Sequence, residues 1–350
     1  MSSFLASGSS QSSNNAFWLE IKQASNENIN VSTLPYVFYN YGCAVVLNGE
    51  LHILGGQNGN DYSKSHYKWN GSEWVRVSTL PYYFYRGSAV ILNNEIHILG
   101  GYESSCRQYH YKFDGTSWSR VSTLPYTFYN GCAIVYNNEI HILGTDSNSS
   151  YYTRHYKWNG SSWVSVSTLP YSFYWGCAVV YNNEIHILGG GGSSYYKNHY
   201  KWNGSSWVSV STLPYGFNDG CTLIYNNEIH ILGSSANQSY FTNHYKWNGK
   251  EWSSVSTLPY NFYGSSAVVY NNEIHILGSS NGDSDMINCT KHYSIAQSPK
   301  IQGYLKQGTK IYYPRTSSPI TTNLQSTTDG YLVTSNGEVK ISVNEEDLEV

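Results

Sequence analysis

Residues 167–188 read STLPYSFYWGCAVVYNNEIHIL, and close copies of this stretch recur along the chain. The motif Ser-Thr-Leu-Pro occurs six times at intervals of 44–46 residues, with its proline at Pro35, Pro81, Pro125, Pro170, Pro214 and Pro259. A fixed period of this length indicates a repeat architecture in which each repeat is one supersecondary unit.

Each repeat divides into four short strands and no helix. In the fourth repeat, residues 176–181 and 184–188 flank Asn182-Asn183, and residues 199–202 and 207–210 flank Asn203-Gly204. Alternating strands around such two-residue turns predict antiparallel hairpins. Four strands per repeat is the size of a propeller blade, and stacking blades in a ring covers both faces of each. We therefore predict an all-β, six-bladed β-propeller over residues 16–297.

The two ends of the chain predict how the ring closes and what lies beyond it. The sixth repeat ends after Ile295 without a fourth-strand tryptophan, whereas Phe17 and Trp18 precede the first Ser-Thr-Leu-Pro motif. Residues 16–23 are therefore expected to supply the fourth strand of blade six, so that deletion of residues 1–25 would unfold or oligomerise the protein. Residues 1–15 are predicted to be a flexible leader. Residues 298–350 are predicted to be a β-rich C-terminal attachment segment with a hairpin turn at Asn336-Gly337.

Several motif positions resemble the kelch-repeat family. They are the glycine doublets that end the second strands (Gly55-Gly56, Gly100-Gly101 and Gly189-Gly190), followed in blade four by Tyr200 and Trp207. The resemblance covers residues 16–296, although three blades carry Gly144-Thr145, Gly233-Ser234 and Gly278-Ser279 at the doublet. It implies a kelch-type propeller that binds partners or, less often, acts as a copper oxidase or sugar-ring isomerase.

The composition narrows the classes of function. Charged residues make up 12% of the chain and the formal net charge is −3, which argues against a nucleic-acid footprint. The chain has no run of about 18 apolar residues, so membrane insertion is not expected. The N-terminus lacks a signal peptide pattern. The protein is therefore expected to be made in the cytoplasm, with its six cysteines as free thiols.

Residues common to all blades are expected to be architectural. All twelve histidines occupy two repeat positions, one on second strands and one on third strands, and we expect them to be buried rungs satisfied by neighbours such as Glu184 and Lys201. Cys43, Cys132, Cys177 and Cys221 share one first-strand position with Ser88 and Ser266. A thiolate metal ring is the alternative, but two serines and the absence of a Cys-x-x-Cys pair disfavour it. No metal or other cofactor is predicted.

Residues that differ between blades are the candidates for a specific task. Ten of the eleven tryptophans fit third- or fourth-strand positions, and the exception is Trp175. Its equivalents form a ring at the mouth of the central channel: Tyr41, Arg86, Asn130, Asp219 and Gly264. Framing this ring are Tyr39, Tyr85, Tyr129, Tyr174, Asn218 and Tyr263.

The composition of this mouth suits a small polar ligand. Aromatic faces cover the apolar C–H face of a sugar, while arginine, asparagine and aspartate pair its hydroxyls. The alternative is that these are simply exposed loop residues. The loops between second and third strands lie on the same face and add Tyr62, Tyr102, Tyr151, Tyr152, Tyr195, Tyr196, Tyr240 and Phe241.

Three functions remain open from the sequence. The first is a non-enzymatic recognition propeller that binds a cell-surface glycan or protein through its tyrosine-rich loop face. Residues 310–315 resemble short segments of phage tail-associated structural proteins, which implies a virion-associated, host-binding protein that contacts other tail proteins through residues 298–350. The alternative is that residues 298–350 are a plain C-terminal extension that packs on the propeller. The second is a sugar-modifying or metal-dependent enzyme, for which Arg86 and Asp219 are the only off-repeat ionisable pair at the mouth. The third is a purely structural assembly protein.

Overall fold

The computed structural model describes residues 27–296 except 39–40, 59–60, 104, 146–151, 192–194, 237–240 and 279–289, together with strands within residues 2–20 and 302–349. The chain divides into two compact units, Asn28–Ser294 and the combination of Met1–Glu27 with Ile295–Val350. In the part of the chain that is described, no helix is long and apolar enough to cross a membrane.

The first unit is a six-bladed propeller of four-stranded antiparallel sheets, as the sequence predicts. The first strands, nearest the channel, are Cys43–Leu47, Ser88–Leu92, Cys132–Tyr136, Cys177–Tyr181, Cys221–Tyr225 and Ser266–Tyr270. The second strands are Glu50–Leu54, Glu95–Leu99, Glu139–Leu143, Glu184–Leu188, Glu228–Leu232 and Glu273–Leu277. The third strands are Ser65–Trp69, Tyr109–Phe113, Arg154–Trp158, Asn198–Trp202, His244–Trp247 and Lys291–Ala296. The fourth strands of blades one to five are Trp74–Thr79, Trp118–Thr123, Trp163–Thr168, Trp207–Thr212 and Trp252–Ser254. Gln57–Asn58 and Asp61–Tyr62 pair antiparallel between the second and third strands of blade one.

The ring closes through an N-terminal strand, but not through the predicted one. The fourth strand of blade six is Glu27–Thr33, which pairs with the third strand Lys291–Ala296. The prediction took Trp18 for the fourth-strand tryptophan of blade six. In the other blades this tryptophan lies four residues before the serine of Ser-Thr-Leu-Pro, as Trp74 does before Ser78. In blade six the residue four positions before Ser32 is Asn28. The strand Ala16–Glu20 belongs to the other unit, so the prediction that residues 16–23 close the ring is wrong.

The hydrophobic core lies between neighbouring blades. One cluster joins Val45 and Leu54 of blade one to Ile96, Ile98 and Phe113 of blade two. The same arrangement recurs between blades two and three, three and four, four and five, and six and one. Second strands are buried on both faces because a blade packs against each side. The Asn-Asn turns at the opposite face have positive φ at both residues, for example 50° and 62° at Asn93 and Asn94, which suits asparagine.

The histidines form a polar chain that crosses from one blade to the next. In blade two, His97 Nδ1 lies 2.8 Å from His110 Nε2, and His110 Nδ1 lies 2.9 Å from Ser122 Oγ. The same serine oxygen accepts a hydrogen bond from Trp163 Nε1 of blade three at 3.0 Å. Blades one, three, four and six repeat the chain, whereas in blade five His244 Nδ1 lacks a partner.

The expected partners of the histidines were therefore wrong. Glu184 and Lys201 bond to each other, with Nζ 2.8 Å from Oε2, and not to the buried rings beside them. In blade two the chain His–His–Ser–Trp pairs both ring nitrogens of His110 and Nδ1 of His97, whereas His97 Nε2 has no hydrogen-bond partner. Chains of this kind link five of the six blades to the next one.

The second unit consists of short strand pairings. Ser2–Ser7 pairs with Asp329–Thr334, Ala16–Glu20 pairs with Gln302–Lys306, and Gln302–Lys306 also pairs with Leu348–Glu349. Lys310–Ile311 pairs with Ile320–Thr321. Ser2–Ser7 is thus a strand within the segment predicted to be a leader. The predicted turn at Asn336-Gly337 lies outside the described residues.

Candidate functional site

A closed circle of six backbone hydrogen bonds surrounds the mouth of the central channel. Each ring residue donates its N–H to the carbonyl of the ring residue in the preceding blade, and the N···O distances are 2.5–3.1 Å. The circle runs through Tyr41, Arg86, Asn130, Trp175, Asp219 and Gly264, and returns to Tyr41. The five ring side chains that the sequence analysis singled out are therefore brought together, and all of them line the channel.

All six ring residues adopt the left-handed backbone conformation, with φ between 53° and 61°. Glycine takes this conformation without strain, and Gly264 shows that the circle needs no side chain. For Tyr41, Arg86 and Trp175 the same backbone costs roughly 1–2 kcal/mol each, whereas asparagine and aspartate tolerate it better.

Arg86 is held between aromatic rings and an amide. Its guanidinium carbon lies 4.1 Å from the ring centroid of Tyr41 and 5.2 Å from that of Tyr85. Arg86 Nη1 donates to Asn130 Oδ1 at 3.3 Å. Burial lowers the pKa of Arg86, but Tyr41, Tyr85 and Asp219 more than compensate and raise it overall, so the guanidinium stays protonated.

Asp219 lies on the other side of Tyr41. Ser235 Oγ donates to Asp219 Oδ2 at 3.0 Å, and the Tyr41 hydroxyl is hydrogen-bonded to the same side chain. Burial raises the pKa of Tyr41 well above its usual value, and the negative charge of Asp219 raises it further. Because blade six contributes only Gly264 to the ring, Tyr41 reaches Asp219 across it. Cation, phenol and carboxylate thus form one connected network.

Two polar atoms near this network have no partner. Trp175 is half-buried, lies 5.0 Å from Tyr174 between ring centroids, and has an unpaired, inaccessible Nε1. Asn218 is 2% exposed; its Nδ2 donates to Ser235 Oγ at 3.2 Å, but its Oδ1 has no partner. An unsatisfied buried polar group costs about 1–3 kcal/mol, so both atoms lower the local stability.

The predicted rim tyrosines pack on neighbouring loops and do not line the channel. The ring centroids of Tyr85 and Tyr62 are 4.8 Å apart, those of Tyr129 and Tyr102 are 5.9 Å apart, those of Tyr174 and Tyr152 are 4.7 Å apart, and those of Tyr263 and Phe241 are 4.7 Å apart. Each of these pairs joins a loop between second and third strands to the connection that enters the next blade. The four tyrosines therefore form an aromatic rim around the mouth, while Tyr39, Tyr151 and Tyr240 lie outside the described residues.

Below the mouth, thiols and hydroxyls line a channel of about 270 Å³. Cys177 Sγ donates to the Gly220 carbonyl at 3.0 Å, and Cys221 Sγ donates to the Ser265 carbonyl at 2.9 Å. Burial raises the pKa of Cys43 and of Cys221 to about 12, which keeps both as thiols at neutral pH. Among the described residues, no group of three or more His, Cys, Asp or Glu side chains is placed to hold a metal ion.

Two site residues escaped the sequence reasoning. Ser235 bridges Asn218 and Asp219, and Gly191 lies where a Cβ atom would be 3.4 Å from Asn218 Oδ1 and 3.7 Å from Trp175 Cε3. A comparison of the blades could have identified Gly191 as unusual, because the residue at the equivalent position, after the glycine doublet of blade two, is Tyr102.

Comparisons with known proteins support the fold and leave the family unassigned. No protein-family model matches the chain, and no curated protein matches its sequence. Among solved structures, that of YjhT matches with a TM-score of 0.63 at 13% identity, over 76% of this chain and 95% of that chain. A likeness at this identity supports the propeller fold alone, so membership of the kelch family and the similarity to phage tail proteins stay predictions.

Proposed function

We propose that this propeller is a non-enzymatic recognition protein that binds a glycan or a protein at the mouth of its central channel. One observation carries the proposal: five of the six ring positions bear side chains where the backbone favours glycine. The sixth position, Gly264, makes the same two backbone hydrogen bonds without a side chain.

The energetics of the ring argue that these side chains are kept for their chemistry. Three of them, Tyr41, Arg86 and Trp175, together cost several kcal/mol of backbone strain relative to glycine. Strain of this kind is concentrated at functional sites, where surrounding structure holds it. The strained positions are also those where the blades differ most in chemical character.

The chemistry of the mouth suits a polar ligand with apolar faces. Trp175 and the aromatic rim provide flat apolar surfaces. Arg86 and Asn130 provide donors, while Asp219 accepts hydrogen bonds. A sugar residue or a polar loop of a protein presents groups of both kinds, and tyrosine-rich surfaces bind such partners with little loss of side-chain entropy.

A glycan array and a pull-down from bacterial envelope fractions would test this proposal with wild-type protein and Trp175→Ala. We expect the substitution to remove most of the binding found. Ser205→Ala, in the exposed turn of the opposite face, is the matched control and should bind as wild type does. Binding that Trp175→Ala leaves unchanged would refute the mouth as the site. Chemical alteration of the ligand during incubation would support an enzyme instead.

The biological setting is a further part of the proposal. We propose that residues 298–350 attach the propeller to a phage tail or virion, which would make the mouth a host-binding surface. The support is the short sequence resemblance at residues 310–315. Identification of the proteins that co-purify from infected cells would test it: tail proteins should be present and should disappear when residues 298–350 are deleted.

A further inference from the structure

The channel below the mouth offers little to a polar ligand, because its thiols and hydroxyls already bond to the protein. Directly below the ring residues, five glycines and Ser265 line the cavity. In the next tier, five side chains donate to a backbone carbonyl of the following blade at 2.9–3.4 Å: Cys43, Ser88, Cys177, Cys221 and Ser266. A sugar hydroxyl at this depth would lose its hydrogen bonds to water and regain few of them. Partners for a polar ligand are therefore concentrated at the level of the ring.

The geometry of the mouth decides which part of a chain can enter it. The circle of backbone hydrogen bonds is closed around the axis, so a ligand enters the cavity along that axis. The cavity of about 270 Å³ is slightly smaller than the roughly 300–1,000 Å³ of pockets that hold drug-sized ligands. One sugar unit fits this space, whereas a unit from the middle of a chain would also need room for the bonds on both of its sides. The free end of a chain is the part that fits.

The two charges at the mouth compensate each other. Arg86 and Asp219 belong to blades two and five, and Tyr41 joins them: its ring centroid lies 4.1 Å from the guanidinium carbon, and its hydroxyl is hydrogen-bonded to the aspartate. An ionised ligand would meet one attractive and one repulsive charge while it loses its hydration, and a buried charge without a partner of its own is strongly unfavourable. The mouth therefore favours a terminal unit without net charge.

The ring side chains match the two kinds of surface that a sugar unit presents. Trp175 is half-buried and lines the cavity, and an indole face packs against the C–H groups of a sugar ring. Arg86, Asn130 and Asp219 line the same cavity and supply donors and acceptors for hydroxyl groups. Tyr174 packs beside Trp175, with 5.0 Å between ring centroids, but belongs to the aromatic rim outside the channel. A second sugar unit would meet this rim as the chain leaves the mouth.

We propose that the mouth binds the terminal, uncharged sugar unit of a glycan chain end-on, with one unit inside the ring and the remainder of the chain outside. This inference rests on the proposed function, and it adds the ligand class and the part of the ligand that is recognised.

Nitrogen-15 labelling of the tryptophan indoles locates the bound sugar. The chain has eleven tryptophans, and the Trp175 indole signal is the one that Trp175→Phe removes. The methyl glycosides of glucose, galactose and mannose are titrated separately into the full-length protein, each beside the methyl glycoside of the uronic acid that differs from it only at C6. At least one neutral glycoside should shift the Trp175 signal, and its uronate should bind about tenfold more weakly.

Chain length tests the end-on geometry. Oligosaccharides of the hexose that binds, from the disaccharide to the hexasaccharide, present the same terminal unit with a growing chain behind it. The second unit can touch the aromatic rim but later units lie in solvent, so affinity should change by no more than about twofold beyond the disaccharide. A groove that held internal units would bind more tightly with each unit added.

Asp219→Asn supplies the charge variant. Asn130 has nearly the same left-handed backbone as Asp219, with φ of 55° against 53°, so asparagine suits the position. The variant leaves the charge of Arg86 without its counterpart and should raise affinity for the uronate, relative to the neutral glycoside, about tenfold. Glu73→Gln removes one carboxylate from an exposed turn of the opposite face and should leave this ratio unchanged.

Four outcomes would overturn the inference: no neutral glycoside shifts the Trp175 signal at its highest soluble concentration, a uronate binds the wild type more tightly than its neutral counterpart, affinity keeps rising beyond the disaccharide, or Asp219→Asn leaves the ratio as Glu73→Gln does. If a protein, or an internal segment of a glycan, binds and requires Trp175, the end-on inference fails and the proposed function stands. If no ligand requires Trp175, the proposed function itself fails.

Discussion

Acid should unfold the propeller over a narrow pH range because its histidines are buried in the neutral form. Burial, the first cause in each case, lowers the pKa of second-strand histidines such as His97 to about 4 and of third-strand histidines such as His110 to about 3. Eleven histidines show shifts of this kind. The unfolded chain protonates them near pH 6.5, so the stabilisation is complete above that pH and is lost as the pH falls toward 4.

The size of the effect follows from the two pKa values. At about pH 5.5 each such histidine is mostly protonated in the unfolded chain and neutral in the fold, which lowers the free energy of unfolding by about 1.4 kcal/mol. Eleven of them together remove about 15 kcal/mol, comparable with the whole stability of a typical domain. The fold should therefore be lost between about pH 6.5 and pH 5, above the range in which carboxylates titrate.

Urea titrations at a series of pH values, followed by tryptophan fluorescence and circular dichroism, would measure this dependence. The slope of unfolding free energy against pH gives the number of protons taken up on unfolding, and we expect it to rise from about five near pH 6.5 to about eight near pH 6, while the protein is still folded. Repeating the series at high salt controls for the surface Lys–Glu pairs, whose contribution salt screens. A slope of only one or two protons, or unchanged stability from about pH 7.5 to pH 5.5, would refute the assignment of neutral, buried imidazoles.

Three further predictions concern the ring, its closure and the links between blades. Trp175→Gly should be more stable than Trp175→Ala by about 1 kcal/mol in urea denaturation, because the left-handed backbone penalises any Cβ atom; the reverse order would contradict the strain. Deletion of residues 1–26 should leave the melting temperature of the propeller unchanged, whereas deletion of residues 1–33 removes the closing strand Glu27–Thr33 and should lower it or cause oligomerisation; equal effects would argue against this closure. Ser122→Ala should lower the free energy of unfolding by about 2–4 kcal/mol, because it leaves a histidine and a tryptophan without their hydrogen-bond partner. The exposed control Ser119→Ala should lower it by about 0.5 kcal/mol or less. Equal losses of stability in the two variants would show that the His–His–Ser–Trp chain does not stabilise the fold.

The repeat predicted the fold because each blade carries the same turns, strands and buried positions. Six Ser-Thr-Leu-Pro motifs were enough to count the blades and to place the ring residues at one mouth. The closing strand Glu27–Thr33 was missed because it contains no tryptophan. Trp18, which lies in a different strand, was assigned to the closing strand instead. Spacing would have corrected this, since Trp18 lies fourteen residues before Ser32 whereas Trp74 lies four before Ser78.

The contacts within the site could not be obtained from the sequence. Periodicity gives the register of a side chain but not its partner, so the pairing of His97 with His110 in place of a carboxylate required coordinates. The closed backbone circle depends on six connections meeting at one axis, which no single repeat reveals. Gly191 was overlooked because a small residue in a glycine run attracts little attention, although its counterpart Tyr102 marks it as an exception.

A variant with glycine at all five side-chain-bearing ring positions tests the central claim most directly. Tyr41, Arg86, Asn130, Trp175 and Asp219 are replaced together, so that every blade matches Gly264 and the backbone circle is kept. Its affinity for whatever ligand the wild type binds is then measured beside its unfolding curve. We expect a propeller that still unfolds cooperatively but no longer binds. Retained binding would show that recognition lies elsewhere, and a chain that fails to fold would show that the ring side chains are architecture.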